Sequence, residues 1–305
     1  MLVGGGLFEP NEGTTVEDLG NDAVATGELV VVATPLGNLG DISRRALALL
    51  ADADVVYCED TRHSSTLFSA HGIAVKGRLH SLHEHNEASQ CDEIINRVQN
   101  GQVVVLISDA GTPGISDPGS RVVAAVAEAG LRVTTAPGPA AVIAALTISG
   151  LATDRFVMEG FMGRKVGERE ALYRQWTNEP RTIVFYESPQ RLAATLSELA
   201  EHFPERRVAV AREITKLHEE VVRGTVREVA DIFGNRDVVG EVVVVLAGAP
   251  EAPIVDDDMV RAALREQLAS GASVRDAVSH VADALGVAHR SAYQLALRLR
   301  ASEGS

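Results

Sequence analysis

Four loops concentrate the residues of this chain that could do chemistry, and each directly follows a short apolar run. They read TPLGNLGD (34–41), EDTRHS (59–64), SDAGTPGISDPGS (108–120) and APGPAA (136–141). The third holds three glycines, two prolines and two aspartates but no Lys or Arg. In it Gly111 and Gly114 allow backbone to pass close to a flat ligand, Thr112 offers a hydroxyl and Pro113 presets the turn. Asp117 is placed to cap a helix opening near Pro118, a favoured first helical residue. Without a cation the loop suits a neutral or cationic ligand rather than a polyphosphate, and neither G-x-x-x-x-G-K-[ST] nor G-x-G-x-x-G occurs. In the first loop Pro35 fixes φ, Gly37 and Gly40 permit close approach, and Asp41 is a good N-cap for the next helix; an ordinary strand-to-helix turn explains the same residues. The small Ala140 and Ala141 leave room for an adenine or a ribose.

A second set could handle protons and phosphates. Glu59, Asp60, Arg62 and His63 lie in the second loop, Glu84 and Asn86 in HEHNE (83–87), and Arg212, Glu213 and Lys216 in AREITK (211–216). Arg62 and Arg212 suit bidentate phosphate contact. Plainer roles stand beside these: Glu59 or Asp60 capping a helix, Arg62 pairing with either, Glu213 and Lys216 forming a surface pair. His80, His83 and His85 raise the question of zinc, but H-E-x-x-H and paired-cysteine spacings are absent, and no metal is expected.

The elements that must carry these loops are short β-branched strands alternating with amphipathic helices. ELVVVAT (28–34), DVVYCE (54–59) and QVVVLIS (102–108) are near-continuously apolar, as parallel strands covered on both faces are, and helical spacing follows at 43–53, 88–100 and 120–130. LRVTTA then gives a further strand, followed by a Pro-Gly-Pro turn and a small-residue helix. This alternation predicts an N-terminal α/β domain over 28–150. A second α/β domain over 151–250 takes strands from RTIVFYE (181–187), RVAVARE (207–213), EEVVRG (219–224) and EVVVVLAG (241–248), with helices near 168–178, 189–202 and 226–233. The short ITKLH link implies an antiparallel pair, hence a mixed sheet. Ligands of open α/β sheets bind beyond the carboxyl ends of the strands, where the four loops lie.

Residues 251–305 read as a linker and a helical, helix-turn-helix-like domain of three helices, the last carrying Arg290, Arg298 and Arg300; nucleic-acid contact and a solvated basic face both explain these arginines. Residues 1–27, with five acids and no Lys or Arg, read as a disordered acidic tail rather than a signal peptide. Twenty-eight basic against 42 acidic residues give a formal charge of -14, which repels polyanions overall, so any nucleic-acid contact must be local. Two distant cysteines, Cys58 and Cys91, fit a reducing compartment, and no window is long and apolar enough for a membrane span.

TPLGNLGDIS, EDTRHS, HEHNE, SDAGTPGISDPG, APGPAA, DRFVMEGF, FYESPQR and AREITK occur in this order. Together, over about 28–250, they resemble the tetrapyrrole-methylase superfamily and, within it, the branch that 2′-O-methylates a cytidine in the decoding centre of small-subunit (16S) rRNA. The resemblance implies two α/β domains with S-adenosyl-L-methionine (S-adenosylmethionine) in the cleft between them, usually in a homodimer, and an extra C-terminal helical domain. It implies Pro35, Ala110, Gly111, Thr112, Ala140 and Ala141 as cofactor-lining positions, flanked by Asp109, Pro113, Pro137 and Gly138, with Glu187, Ile214, Ala247 and Gly248 from the second domain. The superfamily commonly has aspartate where Thr112 stands. As residues for the transfer it points to Glu59, Asp60, Arg62, Asn86, Glu213 and Lys216, and for RNA to Arg62, Arg164, Lys165, Arg181 and Arg212. Where relatives show Leu-Pro after EGF (159–161), this chain has Met162 and Gly163, which predicts a more mobile RNA-contacting loop. The expected partner is small-subunit rRNA or the assembled 30S particle, in the cytoplasm and without a membrane. A tetrapyrrole or other non-RNA acceptor, or a non-enzymatic cofactor-binding RNA-binding protein, are the competing expectations.

Overall fold

The computed structural model describes residues 27–75, 77–250 and 256–303; the expected tail up to residue 26 and the linker residues 251–255 lie outside them. The described chain divides into two compact units, 1–249 and 250–305.

In the first unit β1 (Glu28–Val32), β2 (Val55–Cys58), β3 (Leu79–Ser81), β4 (Val103–Leu106) and β5 (Arg132–Ala136) form a sheet of order β3-β2-β4-β1-β5, parallel throughout. Four helices connect them: α1 (Arg44–Asp52), α2 (Thr61–Ala70), α3 (Glu87–Gln99) and α4 (Ser120–Glu128). Val30, Val32, Val56 and Val105 pack toward Leu50 of α1 and Phe68 of α2, whereas Leu29, Tyr57, Val104 and Leu106 pack toward Ile94 of α3 and Val122 of α4. Strand residues alternate faces, so a sheet covered twice needs both sets apolar, and that is why these runs are continuous. The crossover after β1 uses one face and the crossover after β4 the other. A crevice therefore opens at the carboxyl ends of these neighbouring strands.

A second sheet follows in the same unit: β6 (Phe156–Phe161), β7 (Thr182–Glu187), β8 (Arg207–Arg212), β9 (Glu220–Thr225) and β10 (Val242–Leu246), in the order β6-β7-β10-β8-β9. β6 and β7 are parallel and the other pairings antiparallel, so the sheet is mixed, as the short β8–β9 link implied. Helices α6 (Val166–Trp176), α7 (Pro189–His202) and α8 (Val226–Gly234) cover one face, with Trp176, Phe185, Leu196 and Phe233 in its core. The other face receives α5 (Ala141–Ser149), which leaves the first sheet after β5. Its sequence AVIAALTIS carries no charge, and Val142, Ala145 and Leu146 pack on Val184, Ala211 and Val243. Its other side stays open, with Ile143 47% exposed, so α5 covers this face of the second sheet and links the two lobes along the chain.

The second unit is three helices, α9 (Asp257–Ala269), α10 (Val274–Leu285) and α11 (His289–Glu303), around Leu264, Val281 and Leu295. Asp256 and Ser273 cap the first two, and Gly286 at φ 65° ends the second. Among the described residues no helix is long and apolar enough to cross a membrane.

Candidate functional site

The loops after β1 and β4 are tied together at the crevice. Thr34 N donates to Gly111 O (2.8 Å) and Gly111 N to Thr34 O (3.1 Å), while Thr34 Oγ1 donates to Ser108 O (3.1 Å). Thr112 Oγ1 donates to Pro139 O (2.9 Å), which fixes the loop before α5 to the same frame. Gly111 sits at φ 86°, and a Cβ there would meet Leu36 Cδ2 at 3.2 Å. The backbone is thus held in a shape that only glycine adopts cheaply.

This frame is one wall of a cavity of about 400 Å³. Asp109, Ala110, Gly111, Thr112, Ala140 and Ala141 line it from the first lobe, and Phe161, Tyr186, Glu187 and Val243 from the second. Among the described residues no Lys or Arg does, while four acidic residues do: Asp109, Asp117, Glu187 and Glu241. An adjoining cavity of about 240 Å³ shares Leu36, Asp109, Ala110 and Glu241 with the first, and adds Pro35, His63 and Lys216.

Two expected helix caps are corrected. Asp117 does not cap the helix after its loop: α4 starts at Ser120 behind Gly119, which has no side chain to cap with. The cap comes from another helix. The Glu87 carboxylate, at the start of α3 and 4% exposed, accepts from the backbone N–H of Gly119 (2.9 Å), Arg121 (2.8 Å) and, more weakly, Val122 (3.4 Å). Asp117 is left to line the cavity, where burial pushes its carboxyl up to about 6, helped by the charges of Glu59 and Asp109 and opposed by a hydrogen bond with Ser108. Asp41 likewise lies in a short 3-10 turn, and Ser43 caps α1.

The remaining candidates separate by what already holds them. Glu187 is 2% exposed; its Oε1 accepts from Ser188 N and the Arg191 guanidinium and its Oε2 from Thr195 Oγ1, so at the cavity wall it stabilises the turn after β7. Ile214 packs beneath the cavity beside Leu36 and Val243. Pro113 is buried under the loop, and Pro137 and Gly138 are exposed, with Gly138 against Ala33. Ala247 and Gly248 stand beyond the opposite end of β10, about 16 Å along the strand from Val242, where Gly248 abuts Pro180 and Arg181. Arg181 opens β7 at that same end and forms a bidentate pair with Glu179, whose carboxyl it holds down at about 2.

Asp60 caps α2 through Arg62 N and also binds the Arg62 guanidinium, which holds the Asp60 carboxyl far below the usual range. Asp109 accepts from Asp60 N (3.1 Å) and lies 3.5 Å from His63 Nδ1. Burial, and then Asp109, push the Glu59 carboxyl up. Asn86 spans the turn after β3, with Oδ1 accepting from His83 N and Nδ2 donating to Ser81 O. Its amide is a brace rather than a solvent-facing acid-base group. Arg212 binds Glu220 and Val239 O. Lys216 Nζ binds Glu213 (2.9 Å) and Glu241 (3.2 Å), and its stem crosses to Gly37, where a Cβ would come within 2.3 Å of Lys216 Cγ. The turn that aims it contains two non-glycine residues at positive φ, Glu213 (52°) and Thr215 (68°). Such strain persists only where surrounding contacts enforce it.

The loop with Met162 and Gly163 is tied down by side chains. Met162 is buried in the second-lobe core, and the guanidinium of Arg169 donates to Gly163 O and Arg164 O while that of Arg191 donates to Met162 O. Two arginines restrain what a proline would have restrained. Arg164 and Lys165 point outward, Lys165 pairing with Glu168. Arg290 and Arg298 are exposed on α11; the Arg300 side chain lies outside the described residues.

Comparison with known proteins agrees with this architecture. The family model of tetrapyrrole (corrin/porphyrin) methylases matches residues 28–230. Ribosomal RNA small subunit methyltransferase I of Mycobacterium tuberculosis is 46% identical over 283 residues, covering 92% of this chain and 98% of that one. The protein of the same name from Synechocystis is 44% identical, covering 90% and 99%. Among solved structures, a cobalt precorrin-4 methyltransferase superposes with a TM-score of 0.54 at 20% identity, over 72% of this chain and 94% of that one, which shows the shared fold. The chain therefore belongs to the tetrapyrrole methylase family and, within it, to the ribosomal RNA small subunit methyltransferase I family, whose members methylate small-subunit rRNA from S-adenosylmethionine.

Proposed function

We propose that this chain transfers a methyl group from S-adenosylmethionine to the 2′-hydroxyl of a cytidine in the decoding centre of 16S rRNA. The observation that carries the reading is the pair of joined cavities. The larger has acidic residues, small side chains and no cation, which suits a ligand bearing sulfonium and ammonium charges. The smaller contains Lys216 and His63, which suits an RNA hydroxyl and its phosphate.

When bound, S-adenosylmethionine supplies an already activated methyl group. The chain's own task is alignment and proton handling. Backbone at Ala110 to Thr112, with Ala140 and Ala141, would hold the cofactor, and Asp109 and Asp117 would offset its positive charge. Lys216, held between Glu213 and Glu241, draws the acceptor into the smaller cavity. His63 and Asp109 are the groups placed to receive the hydroxyl proton there. Arg62, Arg164 and Lys165 are the RNA contacts, and the assembled 30S particle supplies the shape that a chain of charge -14 needs in order to bind a polyanion. We place the enzyme in the cytoplasm, as a homodimer of two-lobed subunits with a C-terminal helical domain from 251.

Incubation with labelled S-adenosylmethionine and under-methylated 30S subunits, free 16S rRNA or a tetrapyrrole tests the reading. Label in the ribose of one cytidine is the expected result. Tight cofactor binding with no transfer to any RNA would overturn it, and label in the tetrapyrrole would replace it.

A further inference from the structure

Phe161 is 64% exposed at the cavity, and the fold works to put it there. β6 runs beside β7 with Met158 opposite Val184, but the register then slips, so that Gly160 stands opposite Phe185 and Phe161 opposite Tyr186. Glu159 is the extra residue of this bulge, and its carboxylate accepts from Trp176 Nε1 (3.2 Å). Without the bulge Phe161 would stand opposite Glu187, on the face that packs with Phe185 into the core under α6 and α7. With it, Phe161 shares the cavity face with Tyr186, ring centroids 5.3 Å apart at 56°. The bulge requires Gly160 at φ 72°, and the next residue after Phe161, Met162, returns to the core at 3% exposure. One large aromatic is thus turned out of a good core position toward solvent at the cavity, against the hydrophobic preference.

Two cations stand close behind it in the chain. Arg164 and Lys165 lie three and four residues on and are exposed, whereas among the described residues no Lys or Arg lines the cavity itself. An exposed ring flanked by cations is the combination that holds single-stranded nucleic acid, the ring stacking on a base while the cations meet the backbone. We propose that Phe161, backed by Tyr186, is the stacking platform for a nucleobase of the acceptor RNA at the methylated site, with Arg164 and Lys165 on its phosphates. The inference rests on RNA being the acceptor, as proposed above.

Steady-state methylation of under-methylated 30S subunits by Phe161→Ala, Phe161→Leu and Phe161→Trp, with calorimetric titration of S-adenosylmethionine on each, tests it. The alanine and leucine variants should raise the KM for subunits about tenfold or more, by a larger factor than any change in the cofactor Kd since Phe161 also lines the larger cavity, and the tryptophan variant should restore the KM. A leucine variant equal to the wild type overturns stacking, because it keeps apolar bulk without a π-face. A cofactor Kd weakened as much as the KM or more assigns the ring to the cofactor instead, and no change in either quantity removes the role. If the wild type binds cofactor but methylates no RNA, the proposed function fails rather than this platform.

Discussion

The two lobes build their sides of the cavity from opposite materials. The first contributes backbone, cross-tied through Thr34, Gly111 and Thr112 and pinned from behind by Glu87. The second contributes side chains: an aromatic turned outward at a bulge and, to the adjoining smaller cavity, a lysine aimed by a strained turn. A backbone wall tolerates little substitution because its shape is the contact. A side-chain wall can be retuned residue by residue, which suits the part of a methylase that must change with its acceptor. The lesson is that cofactor-side variants should fail sharply and acceptor-side variants by degrees.

The sharpest break is Gly111→Val. It places a β-branched side chain at φ 86° and against Leu36, so the loop must move and cofactor affinity should fall by a hundredfold or more. Isothermal titration reads this directly, and an unchanged Kd would put the cofactor elsewhere.

Glu87→Ala comes next. It strips the acceptor from the N–H groups of Gly119, Arg121 and Val122 and should cost on the order of 4 kcal/mol in chemical denaturation. Hydrogen exchange should quicken at those amides first. Glu87→Gln keeps an acceptor oxygen and should lose about half as much; equal losses would mean that the carboxylate charge, and not the cap, is what matters.

Neither of those sites was equally readable beforehand. The Gly111 loop was legible because its chemistry is local: glycines, a proline and no cation within one short stretch after an apolar run. β1, β2, β4, β7, β8 and β10 were legible because burial on both faces leaves near-continuous apolar runs. Glu87 was not, since local rules nominate Asp117 beside Pro118 as the cap, while the actual cap arrives from 32 residues upstream through the packing of α3 on α4. β6 escaped because its bulge breaks the alternation that marks a strand. Phe161 belongs to the same class. Which face it takes depends on where the extra residue falls, and nothing in EGF by itself fixes that.

Asp117 gives a smaller effect with a definite sign. Its folded pKa of about 6 lies above the ordinary 3.8, so the folded state keeps a proton that the unfolded chain gives up. The contribution of Asp117 to stability is therefore fullest below about pH 4 and is lost as pH rises through 6. Asp117→Asn removes the titration and should stabilise the protein by up to about 3 kcal/mol at pH 8 and by nothing at pH 4. If Asp117 also faces the positive groups of the cofactor, the same variant weakens S-adenosylmethionine binding at pH 8, so stability and affinity move in opposite directions. A variant that gains stability with no loss of affinity would keep Asp117 in the cavity wall but take it out of cofactor recognition.

The smallest effect should come from Arg62→Ala, and it separates the acceptor side from a merely solvated surface. The Arg62 side chain is 91% exposed and its partner Asp60 keeps a second job, capping α2, when the guanidinium is gone. Solvent screens such a pair, so the melting temperature should not move. An RNA phosphate contact would show differently, as a few-fold rise in the KM for 30S subunits at low salt that fades as salt is raised, because one fewer counterion is released on binding. A rise that persists at high salt would mean that Arg62 works through Asp60 and the Asp109 network behind it, placing the residue in the cavity's own framework and narrowing the RNA-facing side to Arg164, Lys165 and Phe161.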